Sequence, residues 1–354
     1  MDTRRRICLA LVAAVIVVLT VAPPSVAKGS RTPSTTTPPA PGAADAPPGA
    51  IVNSWALAPA GSVDPSHPGD RPDFSYSAPP GSQLTDAVTL FNYSNVELTF
   101  HVYATDAFNN LQGQFDLLAE AKKPSDVGTW VSLPQQNVTL PPHKQATFPF
   151  SVKIPGSARP GDHAGAILAS NDAIGNGPGG QLVRVNRRTG SRLYVRVAGP
   201  LQPELAIRQI SSAYHPRLNP FSGPVDVTYE VENRGNVRMN GQTSVTASGL
   251  FGLGSKHGAK VTLPEVLPGQ KVHLKAHFNA IPATFLAVAN AHVDPAPVGD
   301  AGQAHPASRR SLSLALPLTL IALVLVIVLV RYARRSYQRH DDEPQAPVPQ
   351  LQHQ

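Results

Sequence analysis

Cysteine is nearly absent: the 354-residue chain has one, Cys8, and it lies within an apolar N-terminal run. The rest of the chain therefore has no thiol, no disulfide and no cysteine-held metal. An exported fold of this sequence must rest on its apolar cores alone. Catalytic signatures are missing as well. There is no Gly-x-Ser-x-Gly elbow, no Gly-rich phosphate loop and no pair of carboxylates in a cleft-like context. These absences predict a protein that is not an enzyme, with no catalytic residue, no cofactor and no metal. Charge is sparse, at 15% of residues. The net +7 overstates even that. Without the three Arg and one Asp of residues 1–27 and the four Arg and three acids of residues 331–354, the remainder is about +4. So mild a balance argues against nucleic acid as a partner. Helical periodicity is lacking in the middle of the chain too; the nearest candidate, Asp116–Lys123, would make about two turns at most.

Two apolar runs mark the ends. Arg4, Arg5 and Arg6 precede the uncharged run Ile7–Val21, and Ser25-Val26-Ala27 supplies small residues where a cleavage site needs them. Residues 1–27 thus read as a secretory signal peptide, with an uncleaved anchor helix as the rival. Near the other end, residues 311–330 contain "LSLALPLTLIALVLVIVLV", a chargeless run with fourteen Leu, Ile and Val. At about 1.5 Å per residue it would span about 30 Å, and its insertion would be favourable by roughly 4–8 kcal/mol. The expectation is one C-terminal transmembrane helix inserted as a single pass. Arg331, Arg334, Arg335 and Arg339 then begin a cytoplasmic tail, 331–354, which leaves the N-terminal ectodomain outside the cell membrane.

Residues 28–50, "KGSRTPSTTTPPAPGAADAPPGA", read as a disordered Pro/Thr/Ala-rich spacer, and residues 294–310 as a juxtamembrane linker. Between them, β-branched and aromatic residues alternate with polar ones in short runs such as "LTFHVYATD", "ATFPFSVKI", "RLYVRVA" and "VDVTYEVEN". The region also repeats. "VTLFNYSNV" (Val88–Val96) resembles "TYEVENRGNV" (Thr228–Val237), and "LPPHKQATFPF" (Leu140–Phe150) resembles "LPGQKVHLKAHF" (Leu267–Phe278). The first copy carries an insertion within Asp106–Leu133. The fold class predicted is all-β: two tandem immunoglobulin-like β-sandwich domains, 51–199 and 200–293, plus the C-terminal transmembrane helix.

In "ARPGDHAGAILAS" (Ala158–Ser170), Asp162 and His163 stand side by side. Arg159–Asp162 makes a turn and Ala164–Ser170 a strand, so neighbouring side chains would point to opposite faces. The stretch reads as a sandwich corner, with His163 bonding back to its loop, and not as a catalytic pair. His273 and His277 have the spacing of helical zinc ligands, but on a strand they lie about 13 Å apart and no suitable Glu follows. Asp341, Asp342 and Glu343 read as a solvated cytoplasmic cluster. Asn92 and Asn137 match glycosylation sequons that recur by chance.

One surface feature stands out. "LVRVNRRTGSRLYVRV" (Leu182–Val197) reads as a β-hairpin turning at Asn186–Gly190. Alternation puts Leu193, Val195 and Val197 on one face and Arg192, Tyr194 and Arg196 on the other, with Arg184 alongside from the partner strand. Arg184, Arg192, Tyr194 and Arg196 are thus the candidate site for an anionic cell-wall polymer: Arg pairs with carboxylate or phosphate and Tyr offers a stacking face. The bland alternative is a charged edge that blocks sheet-to-sheet aggregation.

Phe74-Ser-Tyr76 with Pro80-Gly81, then "DAVTLFNYSN", "ATDAFNNLQGQFDL" and "VTLPPHKQATFPFSVKIP" follow one another in an order that resembles the peptidoglycan-binding domain of the bacterial WxL-interacting proteins. The resemblance covers roughly Pro72–Val197. It implies a non-enzymatic surface protein that binds peptidoglycan and partner surface proteins. The alternative of another class is an accessory or chaperone-like envelope subunit that binds a partner protein by edge-strand addition.

Overall fold

The computed structural model describes residues 54–61, 71–176, 181–217, 219 and 221–341, which fall in one compact unit, Ile51–Gln354. Of residues 173–176, 183–184 and 336–341 it describes the backbone alone. The signal peptide and spacer read at 1–50, and the tail beyond residue 341, lie outside the described residues.

The first half of the described chain runs β1 (Trp55–Pro59), β2 (Phe74–Ala78), β3 (Gln83–Asn92), β4 (Leu98–Asn109) and β5 (Phe115–Leu117). A single helical turn follows, α1 (Val127–Trp130), then β6 (Val131–Ser132), β7 (Asn137–Leu140), β8 (Gln145–Lys153), β9 (Gly161–Asn176) and β10 (Leu182–Val197). They form two sheets, a four-stranded one ordered β1-β3-β8-β6 and a six-stranded one ordered β2-β10-β9-β4-β5 with β7 also on β4. Period-two alternation builds the layer between them. Val88 and Leu90 of β3, Phe100 and Val102 of β4, Phe148, Phe150 and Val152 of β8, and Leu193, Val195 and Val197 of β10 are buried in one apolar cluster. Phe74 meets Phe150 edge-on, ring centroids 5.0 Å apart.

The second half runs β11 (Leu205–Tyr214), β12 (Ser222–Asn233), β13 (Met239–Gly249), β14 (Lys256–His257), β15 (Val261–Val266), β16 (Lys271–Pro282), β17 (Phe285–Pro297) and β18 (Ala307–Ala315), followed by α2 (Leu318–Asp341). A three-stranded sheet, β11-β12-β16, faces a sheet ordered β14-β13-β17-β18 with β15 on β13. A separate cluster fills this layer: Val225, Val227, Tyr229 and Val231 from β12, and Ala287, Ala289, Ala291 and Val293 from β17. The small side chains of β17 let the opposed Tyr229 and Phe278 fit.

The sequence repeat has a structural cause. Asn92 ends β3 buried, its Nδ2 donating to the carbonyls of Val96 (3.0 Å) and Leu140 (2.9 Å), while Ser94 N donates to its Oδ1 (2.9 Å). Asn233 ends β12 in the same way: Nδ2 donates to Val237 O (2.7 Å) and Val266 O (2.9 Å), and Gly235 N donates to Oδ1 (3.0 Å). Each Asn staples a strand end to the returning Leu-Pro segment and supplies hydrogen-bond partners to the backbone groups of that corner.

The structure corrects two expectations. Residues 294–310 are not linker throughout: β17 continues to Pro297, zipped to β13 with Met239 opposite Pro297, and β18 starts at Ala307. Ser311–Ala315 of the expected membrane span belong to β18, paired with β17 from Val293 to Phe285. The reason is visible in the residues: Ser311-Leu312-Ser313-Leu314 alternates with period two, and Pro317 then breaks the strand before α2 begins at Leu318. Among the described residues no helix is long and apolar enough to cross a membrane. The apolar part of α2, Leu318–Val330, rises only about 20 Å against a bilayer core of about 30 Å. Asp116–Lys123, the nearest approach to helical periodicity in the middle of the chain, starts within β5 and continues in turns, in line with the lack of helical patterning there.

Candidate functional site

The stretch read as a hairpin is one unbroken strand. All sixteen residues of β10, Leu182–Val197, pair in register with β9, from Leu182 opposite Asn176 to Val197 opposite Gly161. "NRRTG" has the composition of a turn, yet Gly190 serves a different need. The β9 backbone comes so close that a Cβ at position 190 would sit 2.1 Å from Ile167 O. The correction changes which residues share a face. With no turn at 186–190, Asn186, Arg188, Gly190, Arg192, Tyr194 and Arg196 follow one another along the outer face of the six-stranded sheet.

The two ends of that row have different surroundings. Tyr194 is 6% exposed, packed with Ala164 and Leu267, and the Arg238 guanidinium lies 3.7 Å from its ring centroid. Arg196 donates from Nε and Nη2 to the Asp162 carboxylate (2.6 and 2.8 Å) and also to Val298 O (2.8 Å) and Asp300 O (3.2 Å). Asp162 further accepts from Arg238 N at 2.8 Å. The neighbouring loops join in: Asn236 Nδ2 donates to Pro160 O and Pro200 O (both 2.9 Å), and Asn109 bridges Glu265 O (2.7 Å) and Leu267 N (2.8 Å). Of the four candidate residues, Tyr194 and Arg196 are therefore built into the joint between the two sheet pairs. Arg184 sits opposite Ile174 in the β9–β10 ladder, and its side chain lies outside the described residues.

Arg192 remains on open surface, and the structure adds Arg188 beside it. They line a cleft together with Gly190 between them, Ala166 and Leu168 of β9, and Phe115, Asp116 and Leu117 of β5. Arg192 lies over the Phe115 ring, 4.5 Å from its centroid, and Arg188 Nη1 donates to Leu118 O (2.8 Å). Burial works against the charge on Arg192, but Tyr194 and the carboxylates of Asp73 and Glu265 outweigh it and raise its pKa. Past Arg188 the face continues as a polar shelf. Asn186 Nδ2 donates to Asp172 Oδ1 (2.9 Å) and Glu120 Oε2 (3.2 Å), His101 Nδ1 lies 2.6 Å from Glu120 Oε1, and the His101 and Tyr103 rings stack at 5.3 Å. Four residues apart on a strand, Arg188 and Arg192 are about 13 Å apart at their backbones. Such a pair suits two successive anionic groups on a polymer better than one small ion. Sequence reasoning missed Arg188, Phe115 and Asp116; the signal available was the even spacing of Arg188 and Arg192 once the strand is read through.

The other candidates resolve into local structure. His163 Nδ1 lies 2.7 and 2.8 Å from the two oxygens of Asp126, its Nε2 lies 3.0 Å from Arg159 O, and its ring packs on Trp130 at 4.6 Å. Burial by itself would lower the pKa of His163; the Asp126 carboxylate and the Arg159 carbonyl outweigh it and hold the pKa above its ordinary value. Its partner is thus Asp126 across the loop, and the adjacent Asp162 turns to Arg196 instead. His273 and His277 face different carboxylates, Glu230 (3.6 Å) and Asp226 (2.6 Å). Among the described residues no group of three or more His, Cys, Asp or Glu could hold a metal ion. Asp341 ends α2, and Asp342 and Glu343 lie outside the described residues.

Comparison with known proteins adds one specific match. Residues 74–171 match the family described as WxL Interacting Protein, peptidoglycan binding domain. The matched segment runs from β2 into β9, and so includes β5, the wall of the cleft, but not β10, which lies between β2 and β9 in the sheet. No curated protein matches the chain. Solved structures resemble it distantly. The class 5 fimbriae chaperone CfaA is 10% identical, covering 69% of this chain and 97% of its own, with a TM-score of 0.32. The CupB2 chaperone of Pseudomonas aeruginosa is 13% identical over 70% of this chain and 99% of its own, with a TM-score of 0.27. A chain of the Salmonella enterica SafA pilin–SafB chaperone complex is 12% identical over 73% of this chain and 96% of its own, with a TM-score of 0.31. Nothing about function follows from likenesses this distant.

Proposed function

We propose that the chain is a non-catalytic cell-surface protein that binds peptidoglycan, and that the binding surface is the cleft between β5 and β10. The observation that carries the reading is the family match over residues 74–171, the segment that supplies the cleft wall. The chemistry agrees with it. Peptidoglycan carries repeated carboxylates on its peptide stems, and Arg188 and Arg192 present two cations at a polymer-like spacing along one face. Membrane attachment belongs to the same proposal. The Leu318–Val330 turns of α2 are apolar and exposed all round, an arrangement that water disfavours and lipid accepts, and Arg331, Arg334 and Arg335 follow them as partners for anionic headgroups.

The test is sedimentation of the full chain, in detergent, with purified peptidoglycan. The wild-type chain pellets with the wall, and the Arg188→Ser/Arg192→Ser chain binds at least about a hundredfold more weakly, since each charge-assisted contact is worth about 1.5–3 kcal/mol. Equal pelleting of the two chains removes the site. Failure of the wild type to pellet, with stable co-purification of another protein, replaces wall binding with partner binding.

A further inference from the structure

Three loops at one end of the second sheet pair carry exposed apolar side chains. Phe251 is 92% exposed, Phe221 72%, Phe285 60% and Leu253 56%. Single exposed hydrophobics are ordinary on protein surfaces, but these are not scattered. Ala283 N donates to Phe221 O (2.9 Å), which ties the loop before β12 to the loop before β17. Leu250 N donates to Thr284 Oγ1 (2.7 Å), which ties the 250–254 loop to the same place. The segments 219–222, 249–254 and 282–286 contain no charged residue.

Two of these aromatics also sit on strained backbone. Phe251 has φ 57° and Phe285 has φ 68°, in the left-handed region that residues with a Cβ avoid. Local bonds hold them there. Thr284 Oγ1, besides accepting from Leu250 N, donates to Leu286 O (3.2 Å), and Gly249 N donates to Leu253 O (2.8 Å). Neither aromatic is turned inward to join the core.

The position of this rim says what covers it. Phe285 stands opposite Ala315, the last residue of β18, and α2 begins three residues later. The rim therefore lies beside the place where the exposed apolar helix leaves the sheets. Leu312 and Leu314, also exposed, continue the apolar surface along β18 toward it. Arg217 and Lys256 flank the rim as exposed cations. Any apolar medium that takes up α2 at its first turn reaches these side chains as well.

We propose that Phe221, Phe251, Leu253 and Phe285 form a lipid-contacting rim that seats the second sheet pair on the bilayer surface and sets its tilt. The inference rests on the membrane attachment proposed above. A rim of large apolar side chains dips into the headgroup–acyl boundary, and cations beside it meet anionic headgroups. The helix then holds the chain near the membrane while the rim fixes its orientation, so that the first sheet pair points away from it.

The experiment uses the full chain with vesicles of phosphatidylcholine and phosphatidylglycerol whose acyl chains carry bromine at a known depth. Phe251→Trp and Phe285→Trp chains place a fluorophore on the rim, and a Leu182→Trp chain places one on the first sheet pair as a control. The native Trp55 and Trp130 give the background. The proposal expects co-sedimentation of every chain, a blue shift with at least about twofold quenching for the two rim variants, and no change for the control or the wild type. Co-sedimentation without rim quenching overturns the rim and leaves the membrane attachment standing. No co-sedimentation overturns both. A blue shift of the rim variants without vesicles, together with a doubled mass, assigns the rim to a second copy of the chain.

Discussion

Asn92 and Asn233 have the same function in the two halves of the molecule. Each is buried at the end of a strand; Asn92 donates to three backbone carbonyls and Asn233 to two, and each accepts from one backbone N–H. Asn233→Ala would strand Val237 O and Val266 O in the interior, while Gly235 N keeps Glu204 O as an acceptor (3.3 Å). At about 1–3 kcal/mol for each stranded group, partly relieved by relaxation, the expected loss is roughly 2–4 kcal/mol, read as a lower midpoint in urea unfolding. A loss under about 1 kcal/mol would mean that these bonds are not what closes the corner. The burial also shows that the sequon at Asn92 is a coincidence of letters, since its amide nitrogen is fully used inside. This part of the fold was legible in the sequence. The strand-ending Asn, the turn with Asn and Val after it, and the later Leu-Pro recur because the same corner is built twice. The corner bond of His163 was legible too, since both the residue and its Arg159 acceptor lie in one short stretch; its stronger partner, Asp126, lies 37 positions away and left no local trace.

At the scale of the element, β10 shows how local chemistry misleads. Asn186-Arg-Arg-Thr-Gly190 has the residues of a turn, and only the pairing with β9 makes it a strand. The glycine is there because β9 passes too close for a side chain. Gly190→Ala separates the two readings. In a strand it forces the β9 and β10 backbones apart and costs about 1–3 kcal/mol, with a matching drop in thermal midpoint. In an open turn the same change would be close to neutral. The C-terminal end shows the opposite case. A chargeless run of Leu, Ile and Val hides a change of period, from the two-residue alternation of Ser311–Leu314 to the helix that starts beyond Pro317. Composition does not register that change, but the spacing of the serines does.

At the scale of the molecule, the outer face of the six-stranded sheet is divided. One end, with Tyr194 and Arg196, is covered by the second sheet pair through Asp162, Arg238 and the loops around Asn236. The other end, with Arg188 and Arg192, is open beneath β5. No local pattern could have shown this division, because Asp162 and Arg238 are 76 residues apart and come together only when both sheet pairs have formed. The joint restrains the two layered bodies relative to each other. In the proposal, the lipid-facing rim lies at the end of the second sheet pair opposite this joint, so that the cleft beyond the joint is held at a set separation from the membrane.

The most direct test places a photoreactive residue at Asp116, an exposed position on the cleft wall, in the full chain incubated with purified peptidoglycan. A second chain carries it at Lys144, exposed on the loop between β7 and β8. After irradiation and muramidase digestion, the account predicts glycan fragments attached at position 116 and none at 144. Attachment at 144 alone, or equally at both, would contradict it.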